Sequence, residues 1–209
     1  AASKAGYAVK CDVSLLNDAT IVVVEGPWLG EKGDPDRMNI QRSDYAMLSS
    51  KLLANGEAVP TLDAYLDKVA ELGDIHLIIE IKEHATPQAE SELAKAVVTK
   101  VKERKLQNSI DYQSSRQHIC NELKRYAASS TTVYFMGNNL TPEYVEGLGF
   151  SGISYTVETF KRILRWINEA HKLGLKVAVR GVTSADNGAW AKKSGADAII
   201  TTTPTTIKK

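Results

Sequence analysis

Four charged residues stand at spacings that could hold a charge or an ion. Lys10 and Asp12 lie two apart in "VKCDVSL", and Glu80 and Lys82 lie two apart in "LIIEIK". Residues two apart in a strand project to one face. Lys10 and Asp12 therefore share a side, and Val9, Cys11 and Val13 share the other. Glu80 and Lys82 share a side too, and the continuous apolar run Leu77 to Ile79 ahead of them marks a buried strand. A lone buried carboxylate costs several kcal/mol or takes up a proton, so Glu80 needs a partner. Lys82 supplies one, either as a purely structural pair or as part of a site.

The segment "VKCDVSLLNDATIVVVEGPW", residues 9–28, reads as two alternating apolar runs joined by Asn17-Asp18. If they pair as a hairpin about that turn, Lys10 lies opposite Glu25 and Asp12 lies near Val23. That arrangement gathers a charged cluster on one face. Its plain alternative is an exposed sheet face with a cross-strand Lys10–Glu25 pair. The spacing leaves open whether the two runs are a hairpin or successive parallel strands.

The elements that must position these residues alternate along the chain. Ser43 precedes "DYAMLSSKLL"; Pro60-Thr61 precedes "LDAYLDKVAEL", which stops at Gly73; Thr86-Pro87 opens the long helix "QAESELAKAVVTKVKERK". Thr141-Pro142-Glu143 repeats that start, and Thr156 begins "VETFKRILRWINEAHKL", read as one helix ending at Gly174. Strand candidates lie between them at 75–82, 109–112, 132–136, 152–155, 176–181 and 197–203; with the first two runs they make eight. This order predicts a parallel sheet closed into a (βα)8 TIM-type barrel, with an open doubly wound sheet as the competitor. No G-x-G-x-x-G follows a strand, which weakens the dinucleotide-binding form of that competitor. Working residues of such barrels sit at the C-terminal strand ends. Those ends carry Lys10, Asp12, Glu25, Glu80, Lys82, Tyr112, Ser114, Met136, Asn138, Tyr155, Arg180 and Thr201 to Thr203.

Composition narrows the function classes. The 209 residues, 43% hydrophobic and 24% charged, suit one globular domain over 1–209. A net charge of +1 without like-charge blocks argues against a nucleic-acid surface. No apolar run reaches the roughly 20 residues of a membrane span, and the compartment stays open. Cys11 and Cys120 read as core residues, with neither a disulfide framework nor a zinc spacing.

The longest patterned stretches are "AVPTLDAYLDKVAELGDIHLIIEIK", "AGYAVKCDVSLLNDATIVVVE" and "WINEAHKLGLKVAVRGVTSADNGAWAKKSGADAIITTTP". In order and spacing they resemble the glycerophosphodiester phosphodiesterases, a family of phospholipase-C-like TIM barrels, over almost the whole chain. The resemblance implies metal-assisted hydrolysis of phosphoric diesters. In that family a Glu-x-Asp pair and the Glu of E-x-K hold calcium or magnesium, hard ions that prefer oxygen ligands. Two histidines act as acid and base, one from an early His-Arg-Gly strand and one from a His-Asp pair.

The resemblance fails where the chemistry is done. Asp12 and Glu80 stand at two metal-ligand positions, and Lys82 at the lysine that faces phosphate. Lys10 occupies the third ligand position, Glu25 that of the second histidine, and Gly26 that of its aspartate. No counterpart of the His-Arg-Gly strand is present, Arg180 replaces the tryptophan of W-T-V-N, and Thr203 replaces a late aspartate. His76, His84, His118 and His171 all miss the catalytic positions.

An ammonium at Lys10 can substitute for the ion among Asp12, Glu80 and Glu25. Unit charges ~4 Å apart interact by ~4 kcal/mol at an effective dielectric of ~20, so that lysine stays charged and repels a divalent cation. The expectation is thus a barrel without a metal cofactor and with little ordinary hydrolysis. Lys10 and Glu25 are its candidate catalytic residues. Lys82, Arg180, Tyr155 and Trp28 are its candidate contacts to a small anionic phosphate-type ligand. Trp28, in the loop "GPWLGEKGDPDRMNIQ", either caps that ligand or anchors the loop on the rim. A second reading uses Lys10 as a Schiff-base nucleophile with Glu25 or Tyr155 as proton shuttle. A third is a non-catalytic binding module whose open sheet edge pairs with another copy.

Overall fold

The computed structural model describes residues 5–207. It begins with β1 (Val9–Leu15), β2 (Ile21–Val23), and the two-residue strands β3 (Trp28–Leu29) and β4 (Met38–Asn39). Next come α1 (Tyr45–Ser49), α2 (Leu62–Leu72), β5 (Leu77–Ile81), α3 (Pro87–Glu103), β6 (Ile110–Ser114) and α4 (Gln117–Tyr126). The chain continues through β7 (Val133–Met136), α5 (Pro142–Gly147), β8 (Gly152–Thr156), α6 (Val157–Arg162) and α7 (Arg165–Lys172). It ends with β9 (Lys176–Arg180), α8 (Ala185–Lys193) and β10 (Ala198–Ile200). Thr61, Thr86, Thr141, Thr156 and Ser184 each cap a helix by accepting a backbone N–H, as their sequence positions predict for the first four.

One sheet runs β10-β9-β8-β7-β6-β5-β1-β2. Every neighbouring pair is parallel except β1–β2. This is the expected TIM-type barrel, open between the β1–β2 hairpin and β10 among the described residues. Both flanks of the opening line one lumen, and the Tyr7 hydroxyl donates to the Pro204 carbonyl at 3.3 Å. The outward faces of the strands, including Val13, Ile79, Tyr112, Phe135, Ile153 and Val177, form the main core with the helices. A second cluster of Leu16, Val22, Ile40, Leu48 and Val59 lies under the β2–α2 segment. Cys11 and Cys120 are buried and free, as the sequence implied.

Three local expectations are corrected. The first two runs do form an antiparallel hairpin, but its register is Val13↔Val23, one residue from the predicted one. The loop is Leu16 to Thr20, with Ala19 at φ 63°, so an odd-numbered connection centred on Asp18 replaces the two-residue turn. The helix predicted after Ser43 shrinks to Tyr45–Ser49, because Leu53 and Glu57 close a tight loop immediately after it. The single helix predicted from Thr156 breaks at Ile163, whose φ −128° and ψ 67° are not helical. Phe160 and Trp166 lie six residues apart, about 240° around a straight helix, yet both rings contact Tyr155. The break makes that possible.

Polar pairs line the N-terminal mouth of the barrel. His76 Nε2 bonds Asp111 Oδ2 at 3.0 Å, and Asp111 Oδ1 accepts the Thr132 N–H at 2.9 Å. The hydrogen bond to Asp111 raises the His76 pKa above its ordinary 6.5. The sign follows: the pair stabilises fully below the unfolded value near 6.5 and loses its contribution as pH rises through the folded value. His76 is 46% exposed, so solvent screening holds the increment to about 0.5 kcal/mol. Urea unfolding of the protein and of His76→Gln should therefore show a stability difference at about pH 5.5 that shrinks by about pH 8.5. A difference that grows with pH would contradict this account.

Candidate functional site

The register that pairs β1 with β5 sets Asp12 beside Glu80. Both carboxylates face the lumen, with side chains only 8% and 4% exposed. Lys10 reaches them from two residues earlier on β1, and Lys82 from two residues later along the β5 strand. Lys10 Nζ bonds Asp12 Oδ1 and lies 2.8 Å from Glu80 Oε2. Lys82 Nζ lies 2.9 Å from Asp12 Oδ2 and 2.5 Å from Glu80 Oε1. Each carboxylate oxygen thus meets one ammonium, and the four groups form a closed ring of alternating charge. Burial alone would raise the Glu80 carboxyl, but Lys10 and Lys82 overcome it and hold the group below its ordinary value. Burial would lower both amines, but Glu80 and Asp12 outweigh it and keep them above theirs.

Side chains that sequence reasoning missed hold this ring in place. Gln113, fully buried on β6, donates Nε2 to Glu80 Oε2 at 2.9 Å. His84 donates Nδ1–H to the Lys82 carbonyl and accepts the Leu15 N–H at Nε2, both at 2.9 Å. The imidazole therefore staples the end of β5 to β1 in its neutral form, with both ring nitrogens engaged. Ser114, which the strand-end count did include, donates its hydroxyl to the Ile81 carbonyl at 2.8 Å. The signal for Gln113 was present: in "IDYQS" it alternates with outward-facing Tyr112 on a strand adjoining Glu80.

Arg180 also faces the lumen. Its guanidinium donates to the carbonyls of Ser154 at 3.3 Å and Gly137 at 3.1 Å, and it makes no ion pair among the described residues. Burial lowers its pKa against the opposing influence of Glu80 and Glu158. Lys10, Asp12, Glu80, Lys82 and Arg180 line a cleft of about 1290 Å³ with Gln113, Met136 and Thr201. A mouth cavity of about 530 Å³, lined by Gly26, Pro27, Gln41 and Ser115, shares Glu80, Lys82 and Met136 with it.

Three sequence-predicted residues stand elsewhere. Glu25 lines the cleft but is exposed and makes no ion pair with Lys10, because the ladder ends at Val24 N–H to Asp12 O and the chain turns at Gly26, φ 80°. The lysine is ringed by two carboxylates, not three. Tyr155 is fully buried on the outward face of β8 and donates its hydroxyl to the Leu140 carbonyl at 2.8 Å. It is paired in register with outward Val179 and not with Arg180. Trp28 lines neither cavity; it lies on the rim under the Arg37 guanidinium, 4.5 Å from the ring centroid.

With this geometry the chain can be compared with known proteins. The sequence profile of the glycerophosphoryl diester phosphodiesterase family matches residues 1–206. The chain belongs to that family. Among curated proteins, none matches it. A glycerophosphodiester phosphodiesterase from Parabacteroides distasonis is similar, at 30% identity over 97% of this chain and 83% of its own, with a TM-score of 0.90. One from Thermotoga maritima shares 20% identity over 95% and 83%, with a TM-score of 0.73. An Oleispira antarctica phosphodiesterase in complex with the product sn-glycerol-3-phosphate shares 18% over 95% and 82%, with a TM-score of 0.80.

The donor set does not fit the divalent ion this family implies. Calcium and magnesium need carboxylate oxygens free to coordinate, with waters completing the shell. Asp12 and Glu80 offer four, and all are engaged by ammonium groups. The four histidines are bonded as follows: His76 to Asp111 at the opposite mouth, His118 to Ser91, His171 to Asp197, and His84 through both ring nitrogens to the Leu15 N–H and the Lys82 carbonyl.

Removing one carboxylate leaves two half-buried ammonium groups sharing the other. Glu80→Gln should therefore destabilise the fold by about 3 kcal/mol in urea titration near neutral pH. Glu80 stabilises above its unfolded value near 4.5, and the two lysines stabilise below theirs near 10.5. The ring's contribution is then level between those limits, falling in acid as Glu80 takes a proton and in strong base as the lysines lose theirs. A Glu80→Gln penalty that peaked at acid pH would refute the assignment.

Proposed function

We propose that this barrel binds a small anionic phosphate-type ligand at Arg180 and Lys82 and has little or no ordinary diester hydrolysis. The observation that carries the reading is the closed ring. It engages every oxygen of the two carboxylates aligned with metal ligands, and leaves Arg180 as a lumen-facing cation without a carboxylate partner. A guanidinium offers several N–H donors in a plane, suited to phosphate oxygens. Two of those donors already go to carbonyls, which fixes the plane, and others remain for a ligand.

The phosphate class has independent support from the Oleispira antarctica relative, whose bound product is sn-glycerol-3-phosphate. Weak hydrolysis is supported by the absence, among the described residues, of a histidine with a free nitrogen at the carboxylates. Without a proton donor at the leaving oxygen, a factor of about 10² to 10⁴ in rate is forgone. The surroundings of Lys10 oppose the Schiff-base reading: two carboxylates keep its amine charged, whereas that chemistry needs it neutral.

Calorimetric titration with inorganic phosphate and with sn-glycerol-3-phosphate tests the reading. Both should bind the unaltered protein, and Arg180→Met should weaken each by about tenfold or more, as loss of a charge-assisted contact implies. Turnover of glycerophosphocholine with calcium or magnesium should stay near background. Absence of anion binding, or turnover at the rate of an ordinary family member, would overturn the proposal.

A further inference from the structure

We infer that Lys10 is the resident cation of this barrel: its ammonium fills, by covalent attachment, the place where two lumen carboxylates would otherwise have to recruit an ion. The disagreement between donor set and metal carries this inference, which stands whether or not an anion binds at Arg180. Lys10 Nζ bridges Asp12 Oδ1 and Glu80 Oε2, the latter at 2.8 Å, so it sits between the two carboxylates rather than beside one. Lys82 bridges the remaining two oxygens at 2.9 and 2.5 Å. The ring carries two positive and two negative charges and is neutral as it stands. A divalent ion entering it would add uncompensated charge in a place where Asp12 and Glu80 are nearly excluded from water.

The same arithmetic says what would change if the lysine were a carboxylate. Three carboxylates against Lys82 alone leave a charge of −2, which one divalent cation neutralises. Lys10 and Asp12 lie on the same face of β1, and Asp12 is in register with Glu80, so the backbone already aims all three side chains at one spot. One substitution, Lys10→Glu, should therefore convert a metal-excluding ring into a hard-cation site with oxygen ligands.

The test titrates calcium and magnesium calorimetrically into the unaltered protein, Lys10→Glu and Lys10→Gln, and follows thermal unfolding of each with calcium or with a chelator. The unaltered protein should show no binding below the millimolar range, and its unfolding temperature should ignore both additions. Lys10→Glu should bind calcium at least about tenfold more tightly than the unaltered protein, and calcium should raise its unfolding temperature. Lys10→Gln, which removes the ammonium without adding a ligand, should gain less. Micromolar binding by the unaltered protein would overturn the inference. So would a folded Lys10→Glu that gains no affinity. Should that variant fail to fold, nitrogen-15 NMR of the unaltered protein decides: the Lys10 and Lys82 ammonium signals should be unmoved by millimolar calcium, and displacement of the Lys10 signal would sink the inference.

Discussion

Two carboxylates in one barrel layer, nearly out of water, are the constraint from which the site follows. Side by side on paired strands, Asp12 and Glu80 would repel each other. Each must be compensated within hydrogen-bonding distance. The lysines do so from below and above, each touching both carboxylates. Neither lysine can leave without stranding two partners, so the ring is a cooperative unit rather than a sum of pairs. Its side chains are 27% exposed at the lysines and far less at the acids, which shields the attractive contacts better than those of surface pairs.

The rest of the site exists to keep the strand ends that carry those charges in place. His84 ties the Lys82 carbonyl to the Leu15 amide, and Ser114 anchors the Ile81 carbonyl from the neighbouring strand. Arg180 joins β8, β9 and the turn after β7 through the Ser154 and Gly137 carbonyls. Further down, small residues stand beside Tyr134 and Lys176 in the lumen. A Cβ on Gly152 would meet the Tyr134 ring at 2.5 Å, so the glycine is what admits that ring to the interior. Ala178 and Ala198 continue the small layer on β9 and β10. The charged layer therefore sits above a cleft and not above a packed plug.

The sequence disclosed the parts of this arrangement that depend on period and caps. Helix starts at Thr61, Thr86 and Thr141 were legible because a side-chain oxygen before an apolar stripe has a local purpose. The shared side of Lys10 and Asp12, and of Glu80 and Lys82, was legible because a strand has period two. Which pair met which was less so. Glu25 was misplaced because one extra loop residue, with Ala19 in the left-handed region, shifts the hairpin register. Tyr155 was taken for a lumen residue because it ends a strand. Alternation with Gly152, Ser154 and Thr156 places it outward, where Phe160 and Trp166 enclose it. His84 went unread because its partners are two backbone groups, which no local spacing reveals, whereas strand alternation in "IDYQS" did carry the signal for Gln113.

The family resemblance and the physical reading diverge at the same residue. The profile match and the solved relatives fix the scaffold, and on it Lys10, Asp12 and Lys82 converge beside Glu80. What the scaffold leaves free is the sign of the charge placed at each position. A carboxylate and an ammonium differ little in reach but by two units of charge, and in a low-dielectric lumen charge decides occupancy. The TM-score of 0.90 to the Parabacteroides distasonis enzyme speaks for the strand register that positions the groups, and the charges of Lys10, Asp12, Glu80 and Lys82 hold them to one another.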